Sequence, residues 1–232
     1  MKTLGDVFRD LSYGPLSGLV IGSEGSGTIA TAQQDRVVGL LNQGLKRIYT
    51  RFVLSRKDLV LRDIEDVQSY PLLRKHAESD PEETAKFIVD TAEDPYLGDL
   101  LRVLSVKDED GVELFLNMQG CKDALSTPKT NTLRIPEPEG GKLYSVHYQA
   151  AHALLEGTDL EQGIYLPEPL YEALEAFVAH KITRAMAGEE NRRQSSELFG
   201  TYEGICEDFD RKDQGTASQN AEHTKLELRG FR

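Results

Sequence analysis

The run Leu19-Val20-Ile21-Gly22-Ser23-Glu24-Gly25-Ser26-Gly27-Thr28 has the outline of a strand entering a phosphate-binding loop. Gly22 and Gly27 match the spacing GxxxxG, but Thr28 stands where the lysine that reaches the β- and γ-phosphates belongs. Glu24 adds a charge that a phosphate avoids. The run therefore reads as a flexible loop. The histidines are His76, His147, His152, His180 and His223. A helical metal pair wants i, i+4 spacing and a third ligand; His147 and His152 are five apart across an expected strand end. His180 falls on the polar flank of its helix, where a solvated or capping role is expected.

Cys121 and Cys206 belong to no signature of thiol catalysis, and Cys206 beside Ile205 reads as a small core residue. A Gly-x-Ser-x-Gly elbow is missing from the sequence. Asp108-Glu109-Asp110-Gly111 lacks the alternating acids and closing Glu of a calcium loop and reads as a solvated turn. Lys46, Arg47 and Arg51 form the best basic cluster and Arg192-Arg193 the next; either could touch DNA phosphates, but a solvated face accounts for both. These residues predict no enzyme, no metal and no cofactor.

The chain has 232 residues, 27 Lys and Arg against 39 Asp and Glu, and a net charge of −12. That length suits one domain of ordinary size or two small ones. A hydrophobic share of 39% with 28% charged residues describes a globular chain. Its longest apolar run, around residues 16–21, falls short of the roughly 20 residues that a membrane helix needs. The N-terminus lacks an apolar signal core, so a secretory signal is not expected. The two cysteines have no framework spacing, which fits free thiols in a reducing compartment. The acidity argues against tight coating of a phosphate backbone. It leaves room for a surface along which nucleic acid slides.

Periodicity places helices at both ends of the chain around a β-rich middle. Thr3 can cap a short helix with Leu4, Val7, Phe8 and Leu11 on one face, before a glycine-rich arm over residues 13–28. Residues 30–52 carry Val37, Leu41, Leu45, Ile48 and Phe52 as one stripe; Gly39 and Gly44 lie inside that helix and can admit a close neighbour. Val53-Leu54 and Leu59-Val60-Leu61 suggest a small hairpin. Asp80-Pro81-Glu82-Glu83 has the chemistry of a helix start, and that helix would carry Phe87, Ile88 and Thr91.

Further hairpins are expected over residues 100–116, around the turn 107–111, and over 132–135 with 142–148. Leu166-Pro167-Glu168-Pro169 opens a helix with Leu170, Leu174, Phe177, Val178, Ile182 and Ala185 on its apolar face, ended by Gly188. A second helix carries Leu198, Tyr202, Ile205 and Phe209, so the two read as an antiparallel hairpin. Beyond Arg211 the chain is polar until Leu226, Leu228 and Phe231.

One family likeness rests on these segments. Ile164-Tyr165-Leu166-Pro167-Glu168-Pro169-Leu170-Tyr171-Glu172-Ala173-Leu174 leads into Phe177-Val178-Ala179-His180-Lys181-Ile182, then Gly188-Glu189-Glu190-Asn191 and Leu198-Phe199-Gly200-Thr201-Tyr202-Glu203-Gly204-Ile205-Cys206. With the hairpin of residues 101–114 and Thr132-Leu133-Arg134-Ile135-Pro136, this pattern resembles the head-to-tail adaptor (connector or neck) proteins of short-tailed, podovirus-type bacteriophages. The likeness covers roughly residues 30–210 and leaves residues 1–29 and 70–95 unmatched.

The resemblance implies an α+β fold: an antiparallel helical bundle from the N- and C-terminal helices, an inserted β-rich domain and an extended C-terminal tail. With the elements read above, the expected segments are 1–29 (N-terminal helix and glycine-rich arm), 30–64 (bundle helix and first strands), 65–150 (β-rich insert with one helix), 151–210 (C-terminal helical hairpin of the bundle) and 211–232 (extended tail). The expected bundle core is Val37, Leu41, Leu45, Ile48, Leu170, Leu174, Phe177, Ile182, Leu198, Tyr202, Ile205 and Phe209, and the portal-docking tail is Leu226, Leu228 and Phe231.

The resemblance further implies a structural virion protein, a ring of twelve copies that joins the portal protein to the tail nozzle protein and lines the DNA channel used in ejection. Genomic DNA would pass without sequence-specific binding, and no membrane would be involved. Such a chain is made in the host cytoplasm and ends in the virion neck. Three other readings stay open: a neck completion or stopper protein at another level, a small nucleotide-binding or hydrolytic protein using Gly22 to Gly27, and a soluble partner-binding module with a disordered C-terminal peptide, unrelated to virions.

Overall fold

The computed structural model describes residues 1–17, 29–81, 85–157 and 159–212. These residues form a mixed α+β structure with four α-helices and antiparallel sheets. In chain order the elements are β1 (Lys2–Thr3), α1 (Leu4–Tyr13), α2 (Thr31–Arg51), β2 (Arg56–Arg62), β3 (Ser69–Pro71), a 3₁₀ turn (Arg74–His76) and β4 (Ile88–Val89). There follow β5 (Leu100–Lys107), β6 (Ser126–Lys129), β7 (Thr132–Arg134), β8 (Leu143–Ala150), β9 (Gly163–Ile164), α3 (Glu168–Arg184) and α4 (Glu189–Arg211). The described residues divide into two compact units, Met1–Leu54 with those from His152 to 212, and Ser55–Ala151. β2, grouped with α2 in the sequence reading, belongs to the second unit.

In the first unit, Thr3 caps α1 reciprocally: Thr3 Oγ1 accepts from Asp6 N–H at 3.1 Å and Asp6 Oδ2 accepts from Thr3 N–H at 3.0 Å. That pairing satisfies two groups at the helix start and fixes the direction of the chain. Leu4, Val7, Phe8 and Leu11 are buried, as the spacing requires. β1 and β9 pair antiparallel, Lys2 opposite Ile164. α3 packs against α4, α2 and α1. Gly188 does not end α3, which stops at Arg184; with φ +119°, a value that favours glycine, it precedes α4.

In the second unit the strands form a four-stranded sheet in the order β4-β2-β8-β5 and a three-stranded sheet in the order β3-β7-β6. Leu59, Leu61, Tyr144, Val146 and Tyr148 of the larger sheet share one core with Tyr70 and Leu133 of the smaller, along with Leu72 and Ile135 beside them. Four local expectations give way here. Residues 53–61 are no hairpin; Arg56–Arg62 is one strand, whose partner over its whole length is β8. The expected pair 132–135 with 142–148 consists of real strands, β7 and β8, which lie in different sheets.

The helix expected from Asp80 is not formed where the chain is described after residue 84. Ile88 and Val89 instead bond to Leu61 and Val60 as β4, because β-branched side chains gain more from that buried edge than a local cap supplies. Residues 82–84 of that helix lie outside the described residues. The turn after β5 does form, with Gly111 at φ +79°. Its return arm reaches only an isolated bridge, Lys107 to Glu113, and the ladder partner of β5 is β8.

Candidate functional site

The expected bundle core sits where α2, α3 and α4 meet. Val37, Leu41, Leu45 and Ile48 of α2, and Leu170, Leu174, Phe177 and Ile182 of α3, are all buried. On α4, Tyr202 and Phe209 are buried, but Leu198 and Ile205 are half-buried. Ser195 and Cys206 take their places on the inward face. The inward residues of α4 are thus Ser195, Tyr202, Cys206 and Phe209, one stripe in which two members are small. A search for large apolar residues passes over such a stripe. Burial pushes the Cys206 thiol up, which makes it an unreactive core residue. Burial also raises the Tyr202 phenol to about 12.

Gly44 permits the close approach of α2 and α3. A Cβ on it would lie 2.5 Å from Leu174 Cδ1 and 3.0 Å from Phe177 Cδ1. Gly39 faces open space and has no such role. One turn beyond Gly44, Arg47 holds its guanidinium 5.8, 5.6 and 5.7 Å from the ring centroids of Phe177, Phe199 and Tyr202. Arg51 donates to Glu203 Oε2 at 2.8 Å. Two cations of the basic cluster expected on α2 are therefore engaged with α3 and α4, while Lys46 is exposed. Of the second pair, Arg193 lies 3.1 Å from Glu197.

His180 is buried, not on a solvated flank, because α4 covers that side of α3. Its Nδ1 lies 2.8 Å from the Ser195 carbonyl oxygen and 2.9 Å from Ser195 Oγ, and Oγ donates to the His180 carbonyl at 3.3 Å. A carbonyl oxygen only accepts, so Nδ1 carries the proton and is no base for the serine. The pair is a clasp between helices.

Neither a protein-family model nor a curated protein matches this chain. Several other chemistry-bearing residues are engaged in structural contacts. In the second unit, Asp90 accepts from Ser79 N–H, Ser79 Oγ–H and Tyr96 N–H beside a cavity of about 230 Å³. Asp99 takes Lys57 Nζ at 2.6 Å and the Tyr148 hydroxyl at 3.0 Å. Burial, ahead of the Asp99 charge, drives the Tyr148 phenol far upward. Asp108 Oδ1 accepts from Asp110 N–H and Val112 N–H, so the acidic turn uses its carboxylate on its own backbone. Cys121 borders an open groove of about 400 Å³ with Met118 and Arg134.

His147 lies in β8 and His152 in the helical unit; among the described residues no group of three His, Cys, Asp or Glu could hold a metal ion. No described helix is long and apolar enough to cross a membrane. The loop Gly22 to Gly27, His223 and the tail residues Leu226, Leu228 and Phe231 lie outside the described residues.

Proposed function

We propose that this protein is a structural adaptor of a bacteriophage neck, a ring subunit that joins the portal to the tail nozzle and surrounds the DNA path. In this reading α1–α4 form an antiparallel bundle, Ser55–Ala151 is a β-rich insert, and residues 211–232 are an extended tail that docks on the portal. The observation that carries the proposal is the α3–α4 hairpin, built from the segments that resemble the adaptor family and locked to α2 at Gly44, Arg47 and Arg51. The net charge of −12 supports it, since an acidic wall repels phosphates and lets DNA slide. Side chains that could have served catalysis are occupied structurally: His180 by Ser195, Cys206 by burial, Asp108 by its own turn.

Mixing the purified chain with the portal protein of the same genome and imaging by negative-stain electron microscopy tests the reading. An added ring beneath the portal, of twelve subunits, is the expected result. A bare portal beside free chains overturns it. Truncation after Arg211 is expected to leave a folded protein that no longer joins the portal.

A further inference from the structure

His152, where the chain enters the helical unit after β8, makes two hydrogen bonds that fix its protonation. Nδ1 lies 2.6 Å from the Ala153 carbonyl oxygen, which can only accept, and Nε2 lies 3.1 Å from the Tyr165 backbone N–H, which can only donate. The ring must therefore be neutral, with the proton on Nδ1 and a lone pair on Nε2. Tyr49 of α2 closes the arrangement: its ring stands edge-on to His152 at 5.4 Å, and its hydroxyl donates to the Tyr165 carbonyl. Both backbone groups of Tyr165 are thus held. Tyr165 directly follows β9, whose partner β1 carries the chain into α1.

We propose that His152 is a proton-operated latch on the segment that leads to α3, closed while the imidazole is neutral and opened when Nε2 takes up a proton. A proton on Nε2 sets two donors against each other, so the imidazole can no longer hold the Tyr165 N–H, and that amide, on a residue 62% exposed, turns to water instead. The titratable groups against the ring are Tyr49, from α2, and Tyr165, from the segment itself. Burial holds the imidazole below its ordinary 6.5, partly offset by the Ala153 carbonyl. The unfolded chain therefore binds this proton first, so stability falls as pH drops through 6.5 toward the lower folded value. Opening loosens residues 163–165 and, through β9, the attachment of β1.

Site-resolved amide exchange of the full chain, corrected for the intrinsic pH dependence of exchange, tests the latch. Between about pH 7.5 and about pH 5, protection of the Tyr165 amide is expected to fall about tenfold, while the Val146 and Leu174 amides hold theirs. His152→Phe keeps an aromatic ring but no acceptor, and is expected to show the low Tyr165 protection at both pH values. Unchanged Tyr165 protection while the His152 ring titrates overturns the proposal, as does a loss shared equally by all amides. Should His152→Phe fail to fold, the native chain decides: the Tyr165 amide and the His152 ring must titrate with one midpoint, and separate midpoints overturn the latch.

Discussion

Gly44 and Leu174 are so close that a methyl group on Gly44 would sit 2.5 Å from Leu174 Cδ1, whereas the same group on Gly39, five residues earlier in α2, would meet nothing within 4 Å. The two glycines therefore answer oppositely to one substitution. Gly39→Ala is expected to raise stability by up to about 1 kcal/mol through helix propensity. Gly44→Ala gains the same propensity but overpacks a buried seam, for a net loss of about 1–2 kcal/mol. Urea unfolding of both variants checks this; a stabilised Gly44→Ala would show that the seam can open.

α4 buries Tyr202 to 1% exposure and leaves Leu198 and Ile205 half-buried. Tyr202→Ala is expected to cost about 3–5 kcal/mol, as large-to-small changes of buried aromatic residues do. Leu198→Ala and Ile205→Ala should each cost less than half as much. Thermal melting ranks the three, and equal losses would contradict the inward stripe.

Asp63 is a buried acid with a structural duty. Its Oδ2 accepts from Glu139 N–H at 2.9 Å and its Oδ1 from Lys142 N–H at 2.7 Å, fixing the loop between β7 and β8. Gly140 and Gly141 of that loop, at φ +81° and +94°, adopt backbone that favours glycine. Asp63→Ala strands two backbone donors and is expected to destabilise by about 2 kcal/mol or more. Asp63→Asn keeps one acceptor and should lose less. Denaturant midpoints of the two variants separate these outcomes.

Glu175 provides a test in acid. Burial pushes its carboxyl above the usual 4.5, against the opposing pull of Lys2 Nζ at 3.5 Å. The folded state keeps this proton to higher pH than the unfolded chain does. Stability from this group is therefore greatest below 4.5 and declines as pH rises through the folded value. Glu175→Gln abolishes that decline, so its stability relative to the native chain should improve as pH rises out of the acid range. Parallel pH dependences for the two proteins would place Glu175 in solvent.

The sequence by itself determined the four helices and most of their inward faces. Helix periodicity is a local signal: Leu4, Val7, Phe8 and Leu11 declare one face of α1 within three turns, and Thr3 caps it through a residue three positions away. It also marked Gly44 as a place for close packing, but could not tell it from Gly39, because only the neighbour across the seam distinguishes them. Tertiary structure decided the strand partners. β2 reaches β8 across more than 80 residues, and β7 and β8 part into different sheets, because backbone hydrogen bonds and shared burial are satisfied at any sequence distance. The same rule turned Ile88 and Val89 from an expected helix into an edge strand. It also brought Ser195 to His180 and Tyr165 to His152, pairs that no spacing announces because each is made by the packing of separate segments.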